Sequence, residues 1–189
     1  GTHNTAVGAF ALEANTTGSE NTAFGKSALG YNVSGDGNTA LGRSALSANL
    51  ASENTAVGHD ALLSNVTGTN NVAVGAYSLD AANTDNNTAI GYQAMTNATA
   101  SECVAVGSRA LKAQTSAARC TAVGSEAATA ITTGNDTTAI GRSALAACVT
   151  GSSNTVLGSK ALMNYTGSQT TAIGVEALYT ITTGQQCTA

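Results

Sequence analysis

The sequence has no proline and no tryptophan, and both aromatic and charged residues are scarce. Aromatic residues make up 4% of the 189 positions and charged residues 10%, whereas about a quarter of the residues in a globular domain are charged. Apolar residues still account for 42% of the chain, most of them alanine, valine, leucine and isoleucine. This composition argues against a core of bulky side chains and favours thin, regular layers of small ones.

The sequence lacks the features that mark nucleic-acid-binding proteins, membrane or secreted proteins, and disordered proteins. Seven lysines and arginines against eleven aspartates and glutamates give a net charge of −4, which argues against a nucleic-acid partner. No apolar run approaches the roughly 20 residues of a membrane-spanning helix, and no signal peptide is visible. Disorder is not expected, because disordered chains combine high net charge with few β-branched residues. We therefore expect no nucleic-acid binding, no membrane insertion and an ordered chain.

What the sequence does contain is a repeat with a period of 16 or 17 residues. The stretch Asn4–Gly8 returns along the whole length, and we number each copy in slots from its first residue. Slot 1 is occupied by Asn4, Asn21, Asn38, Asn54, Asn71, Asn87, Cys103, Cys120, Thr137, Asn154, Thr170 and Cys187. A fixed period of this length is typical of stacked repeats, each of which cannot bury its own apolar face. The prediction is a single repeat array over residues 1–189.

Both ends of the array resemble interrupted repeats. Residues 1–3 match the end of a repeat, and residues 187–189 match the opening of another. Stacked arrays need capping units at their ends. We therefore expect this chain to be a piece of a longer fibre, uncapped at both ends.

Each repeat predicts a short strand followed by a turn. Slots 2 to 4 read Thr-Ala-Val, with Ile, Leu or Phe as variants of the last residue, and slot 5 is glycine in every complete copy. Because side chains alternate along a strand, slots 2 and 4 face one way and slot 3 the other. The glycine suits a positive φ or a close backbone approach. The Ala-Leu pair at slots 8 and 9 predicts a second short strand whose leucine enters the core.

A helical alternative starts from the same Ala-Leu pair with its alanine-rich flanks. The recurring glycines leave about ten residues for such a helix, and isolated helices of that length are marginal in water. We therefore predict an all-β parallel β-roll or β-helix, a solenoid whose 16–17-residue coils stack at about 4.8 Å.

Two apolar faces of the coil need covering, one made of Thr, Val and Leu and the other of Ala. One face fills the interior of a coil, and the other would be a long exposed stripe of the kind that marks an interface. Association of identical chains would cover it. The residues alone leave open which face lies inside.

The repeat resembles the head repeat of trimeric autotransporter adhesins, the YadA-like family. The resemblance is carried by Asn87-Thr88-Ala89-Ile90-Gly91 and by the small residue Ala94. The longer string 87–95 is similar to arrays in bacteriophage tail fibres. The opening is one residue shorter than the family motif, the period is longer, and a leucine is added after the small residue. The resemblance implies a left-handed parallel β-roll, a homotrimer and a role in attachment.

The favoured hypothesis is a structural and host-attachment segment of a trimeric bacteriophage tail fibre, located in the virion. Its partner would be a host cell-surface receptor, a glycan being one candidate, reached through a flanking tip or through exposed corners of the coils. One alternative is the head of a bacterial trimeric adhesin at the cell surface. Another is an ice- or surface-binding solenoid, which requires the slot 2 threonines to lie on an exposed, flat face.

An enzyme is not expected, because glycan cleavage needs paired carboxylates at a defined separation and the few acids show no such arrangement. His3 and His59 occupy unrelated slots. Charged residues recur after the glycine, in the pattern of a solvated corner, at slot 6 (Lys26, Arg43 and Arg142) and slot 7 (Asp60, Glu126 and Glu176). We predict no catalytic residue, no cofactor and no metal.

The cysteines and the glycosylation-type triplets also have ordinary structural interpretations. Cys103 and Cys120 share slot 1 on adjacent coils, where a separation of about 4.8 Å would permit a disulfide. Small-residue packing without a bridge is favoured, because Thr137 and Thr170 fill the same slot. Turn chemistry explains most of the Asn-x-Ser/Thr triplets, which begin at Asn15, Asn32, Asn65, Asn86, Asn97, Asn135 and Asn164.

Overall fold

Eleven three-residue strands form one parallel sheet, in sequence order, in the computed structural model, which describes residues 1–81 and 83–189. They are β1 (Thr5–Val7), β2 (Thr22–Phe24), β3 (Thr39–Leu41), β4 (Thr55–Val57), β5 (Val72–Val74), β6 (Thr88–Ile90), β7 (Val104–Val106), β8 (Thr121–Val123), β9 (Thr138–Ile140), β10 (Thr155–Leu157) and β11 (Thr171–Ile173). No helix occurs among the described residues. The chain is a parallel β-solenoid, as the repeat predicts.

Equivalent slots of neighbouring coils lie directly beside one another. Thr22 pairs with both Thr5 and Thr39, and the same register continues to β11. The main chain bonds alternately to both neighbours: the Thr22 N–H donates to the Asn38 carbonyl at 2.8 Å, and the Gly25 N–H donates to the Val7 carbonyl at 2.8 Å. The sequence period is thus the period of the structure.

The interior of the solenoid is built from alanine and leucine. In β2 to β9 and in β11 the slot 3 alanine is fully buried, and Val156 takes its place in β10. The slot 9 leucines of the inner coils, such as Leu46 and Leu62, are also 0% exposed, whereas Leu12 and Leu178 at the two ends are partly buried. The structure therefore decides the question that the sequence left open, since the alanine face lies inside together with leucine, and the slot 2 and slot 4 residues lie outside.

The prediction of a second strand at slots 8 and 9 is wrong, because these residues form a turn. Slots 7 and 9 have a positive φ in every coil, between 53° and 62° at slot 7 and between 48° and 53° at slot 9. Such residues cannot continue a strand, which needs φ near −120°. The segment still bonds to its neighbours, since the Leu46 N–H donates to the Ala61 carbonyl at 3.0 Å. Left-handed leucine is unfavourable, and packing against the core offsets that cost.

The slot 5 glycine satisfies both physical requirements that its sequence position suggested. Its φ lies between 124° and 144° in all eleven coils. A Cβ at Gly91 would lie 2.5 Å from the carbonyl oxygen of Gly107 in the next coil. Glycine is therefore required both by the conformation and by the spacing between coils.

Two alanine substitutions separate these requirements. Gly91→Ala combines an unfavourable φ with a backbone clash, whereas at Gly174, with a φ of 133°, the nearest atom to a new Cβ is 3.8 Å away. We expect Gly174→Ala to lose about 1–3 kcal/mol through backbone strain and Gly91→Ala to lose more. Denaturant midpoints with unchanged m-values would measure both losses, and equal losses would contradict the close approach of the coils.

Candidate binding surfaces

A ladder of buried asparagines at slot 1 fixes the position of each strand. The Asn54 Oδ1 accepts the Asn71 N–H at 3.0 Å, and the Asn54 Nδ2 donates to the Gly68 carbonyl at 2.8 Å. The side chain thus replaces a ladder bond at the start of the strand and ties that point to the turn that leads into the next coil. Pairing these groups matters, because leaving one buried and unpaired costs about 1–3 kcal/mol.

A second row of amides at slot 12 meets the same turns. The Asn65 Nδ2 donates at 2.8 Å to the Gly68 carbonyl that also accepts from Asn54. Asn32 makes the equivalent bond to the Gly35 carbonyl at 2.9 Å. Because Asn32 and Asn65 are 0% exposed, their Asn-x-Ser/Thr triplets serve the turn and offer no accessible side chain for glycosylation.

Cysteine takes over the role of asparagine in two coils. The Cys103 Sγ accepts the Cys120 N–H at 3.4 Å and donates to the Ala117 carbonyl at 3.2 Å. All four cysteines are free, so the unbridged alternative is the one that the structure shows. Two causes raise the pKa of the Cys120 thiol: the larger is its hydrogen bond with Cys103, and the smaller is burial. Burial likewise raises the pKa of Cys148, which keeps that thiol protonated.

Replacing one rung of the asparagine ladder tests its contribution. Asn54→Ala leaves the buried Asn71 N–H without its acceptor, and we expect a loss of about 1–3 kcal/mol in the free energy of unfolding. Asn54→Cys keeps a weak acceptor, as Cys103 does, so its loss should be smaller.

Urea denaturation of both variants beside the exposed control Ser34→Ala measures the difference. A loss for Asn54→Ala within about 0.5 kcal/mol of the control, the range of ordinary surface substitutions, would show that the ladder contributes nothing.

The outward side chains of β1 to β11 form a surface that we call the strand face. It consists of the slot 2 and slot 4 residues, none of which is charged in any coil. The slot 4 row is apolar throughout and well exposed in places, reaching 54% at Phe24, 46% at Leu157 and 59% at Ile173. The slot 2 row beside it is threonine except at Val72 and Val104. An unbroken, uncharged stripe therefore runs along the solenoid.

The charged corners form ion pairs both between neighbouring coils and within one coil. Arg109 Nη1 lies 3.3 Å from Glu126 Oε1, and Lys160 Nζ lies 3.5 Å from Glu176 Oε1. His59 Nε2 lies 3.1 Å from Asp60 Oδ2, and the histidine ring also packs edge-on against Tyr77. Exposed pairs of this kind contribute little to stability. These residues form a solvated surface, as the variability of their slots predicts.

A groove on the first three coils is the feature that sequence reasoning missed. It has a volume of about 420 Å³ and lies between slot 7 and slots 10 and 11. Phe10, Tyr31 and Gly30 are among the residues that line it. The groove opens because slot 10 has no side chain at Gly30 and only a small one at Ser47. The sequence feature that could have predicted the groove is the glycine at slot 10, Gly30, beside aromatic residues.

The remaining groups of the groove are polar. Glu13 and three serines, Ser27, Ser44 and Ser47, complete the lining. Among the described residues, none of these four side chains bonds to another protein group. They are therefore free to bind a ligand.

Other kinds of site have no counterpart in the described part of the chain. Residues 1–81 and 83–189 contain no group of three or more His, Cys, Asp or Glu side chains placed to hold a metal. The same residues include no helix long and apolar enough to cross a membrane.

Comparisons with models of protein families, with curated proteins and with solved structures find no match to this chain. The YadA-like resemblance therefore remains a prediction from the repeat. Functional inference depends on the surfaces themselves.

Proposed function

We propose that the chain is a structural and host-attachment segment of a homotrimeric fibre, a bacteriophage tail fibre located in the virion. The observation that supports this proposal best is the strand face. Eleven apolar side chains follow one another at slot 4 without a charge among them. At about 4.8 Å per coil the row is about 50 Å long. Contiguous apolar surface on this scale usually marks an interface.

A second copy of the chain is the partner that fits this face best. Any occupant must offer apolar groups at the same spacing over the full length, and an identical solenoid has that spacing by construction. Placing two such rows side by side buries the exposed parts of residues such as Leu41 and Leu157 without burying a charge. The strand face thus supports self-association, while the number three and the left-handed coil come from the resemblance to YadA-like heads.

A side-by-side assembly would act mechanically. Main-chain bonds tie every coil to its neighbours and the asparagine ladder reinforces them in most coils, which makes the solenoid suited to hold a binding tip away from a particle. Because the corners repeat along the rod, weak contacts made there would also be multiplied. The proposal includes no catalytic step. The same geometry would serve the head of a bacterial adhesin, for which a membrane anchor and a coiled-coil stalk in the flanking sequence would be decisive.

Paired substitutions on the strand face test the assembly. We expect a mass in solution of three times the 18.5 kDa of one chain, measured by light scattering. The double variant Leu41→Glu/Leu157→Glu should dissociate, because it places like charges in an apolar interface.

The matched control is Leu50→Glu/Val149→Glu. It changes residues that are 44% exposed, close to the 45% and 46% of Leu41 and Leu157, on another side of the coil. A monomeric wild-type chain, or dissociation by the control alone, would contradict the proposal.

An ice- or surface-binding role is a second candidate, favoured by one observation. The slot 2 threonines lie outward, in register, as this role requires; Thr22 and Thr39, for example, are exposed. The same face cannot also be covered by sister chains. A monomeric chain with thermal hysteresis that is lost in Thr39→Lys would support this candidate, and a trimer without thermal hysteresis would dispose of it.

A further inference from the structure

We propose that the groove between Phe10 and Tyr31 binds a neutral sugar, one or two rings at the end of a glycan. Its volume of about 420 Å³ falls in the range of small-molecule sites, about 300–1,000 Å³. The inference rests on the proposed attachment function, to which it adds a ligand class and a place. The groove itself lies on different slots from the strand face, so the two can be tested apart.

The aromatic walls match the apolar faces of a sugar ring. Phe10 is 56% exposed and Tyr31 is 67% exposed, although aromatic side chains are few in this sequence. A pyranose ring presents C–H groups on its faces, which pack favourably against the negative face of an aromatic ring. Two exposed aromatic rings beside one groove therefore provide a surface for stacking rather than a solvated corner.

The floor and rim match the hydroxyl groups of a sugar. The hydroxyls of Ser27, Ser44 and Ser47 and the carboxylate of Glu13 line the groove, and no protein partner occupies them among the described residues. Ser47, at 6% exposed, is the most buried of these four polar residues. Hydroxyl groups can donate or accept, and a carboxylate accepts strongly. The set therefore suits a ligand with several neighbouring hydroxyls.

The charge of the lining selects among sugars. Of the residues that line the groove, Glu13 is acidic and none is basic. The net charge of the chain, −4, adds to the repulsion of anions. Sialic and uronic acids should therefore bind worse than neutral hexoses and N-acetylhexosamines.

The local sequence of these coils creates the groove. At slot 10 the other coils mostly carry longer side chains, such as Leu63, Lys112 and Met163, where this region has Gly30 and Ser47. The neighbouring slot 7 residues, Ser27 and Ser44, are also small. Three successive coils thus line one groove with both small and aromatic residues.

The test is a titration of the full 189-residue chain with four neutral probes, followed by saturation-transfer NMR. The probes are the methyl glycosides of glucose, galactose, mannose and N-acetylglucosamine, with the methyl glycoside of sialic acid as the anionic comparison. We expect saturation transfer to at least one neutral probe and weaker or no transfer to sialic acid. No transfer to any neutral probe, or preference for sialic acid, would overturn the inference.

Variants locate the site. Tyr31→Ala should weaken binding by about tenfold, the loss expected for one aromatic contact. Tyr179→Ala, which removes another exposed tyrosine outside the groove, should leave binding unchanged. Glu13→Gln should reduce the discrimination against sialic acid. Equal affinity of Tyr31→Ala and the wild type would refute the site.

Measuring the oligomeric state and the sugar binding of the same wild-type sample separates this inference from the proposed function. If the wild type is monomeric but binds sugar in a Tyr31-dependent way, the proposed sugar site is supported and the proposed trimer is contradicted. If the chain is trimeric but binds none of the neutral probes, the trimer is supported and the sugar site is contradicted.

Discussion

Each coil of this solenoid obtains its hydrogen bonds from the coils beside it. A segment of 16 or 17 residues with a three-residue strand has too little chain to pair with itself. The strand N–H groups therefore donate alternately to the preceding and following coils, and the slot 1 asparagine extends the pairing into the turn. This dependence explains why the repeat is so regular, because a change of register in one coil would leave buried groups unpaired on both sides.

Close stacking then limits which residues can occupy the interior. Alanine at slot 3 keeps the sheet near the opposite wall, and the glycine at slot 5 lets the backbones of adjacent coils touch. Leucine at slot 9 fills the remaining space in spite of its left-handed conformation. With so thin an interior, a large part of the apolar surface remains outside, on the strand face. The fold and the proposed self-association thus have the same physical origin.

Much of this architecture could be predicted from the sequence, because its causes recur in every repeat. The period, the strands at slots 2 to 4, the glycine bends and the buried leucine follow from local patterns seen eleven times. The orientation of the strand could not be derived, because Thr-Ala-Val has an acceptable core residue on either face. The second strand was predicted wrongly, since nothing in Ala-Leu signals a left-handed leucine. The groove depends on Gly30 and on its neighbours across three coils, which becomes apparent only when the coils are stacked.

Small-angle X-ray scattering tests the central claim most directly, since one profile gives both the length and the cross-section of the particle. In-register coils with sister chains side by side predict a rod about 50 Å long, the length of one stacked chain, with three times the cross-sectional mass of a single solenoid. A near-spherical particle with the volume of a single chain would contradict the stacked coils. A rod of twice the length with the cross-section of one chain would contradict association through the strand face.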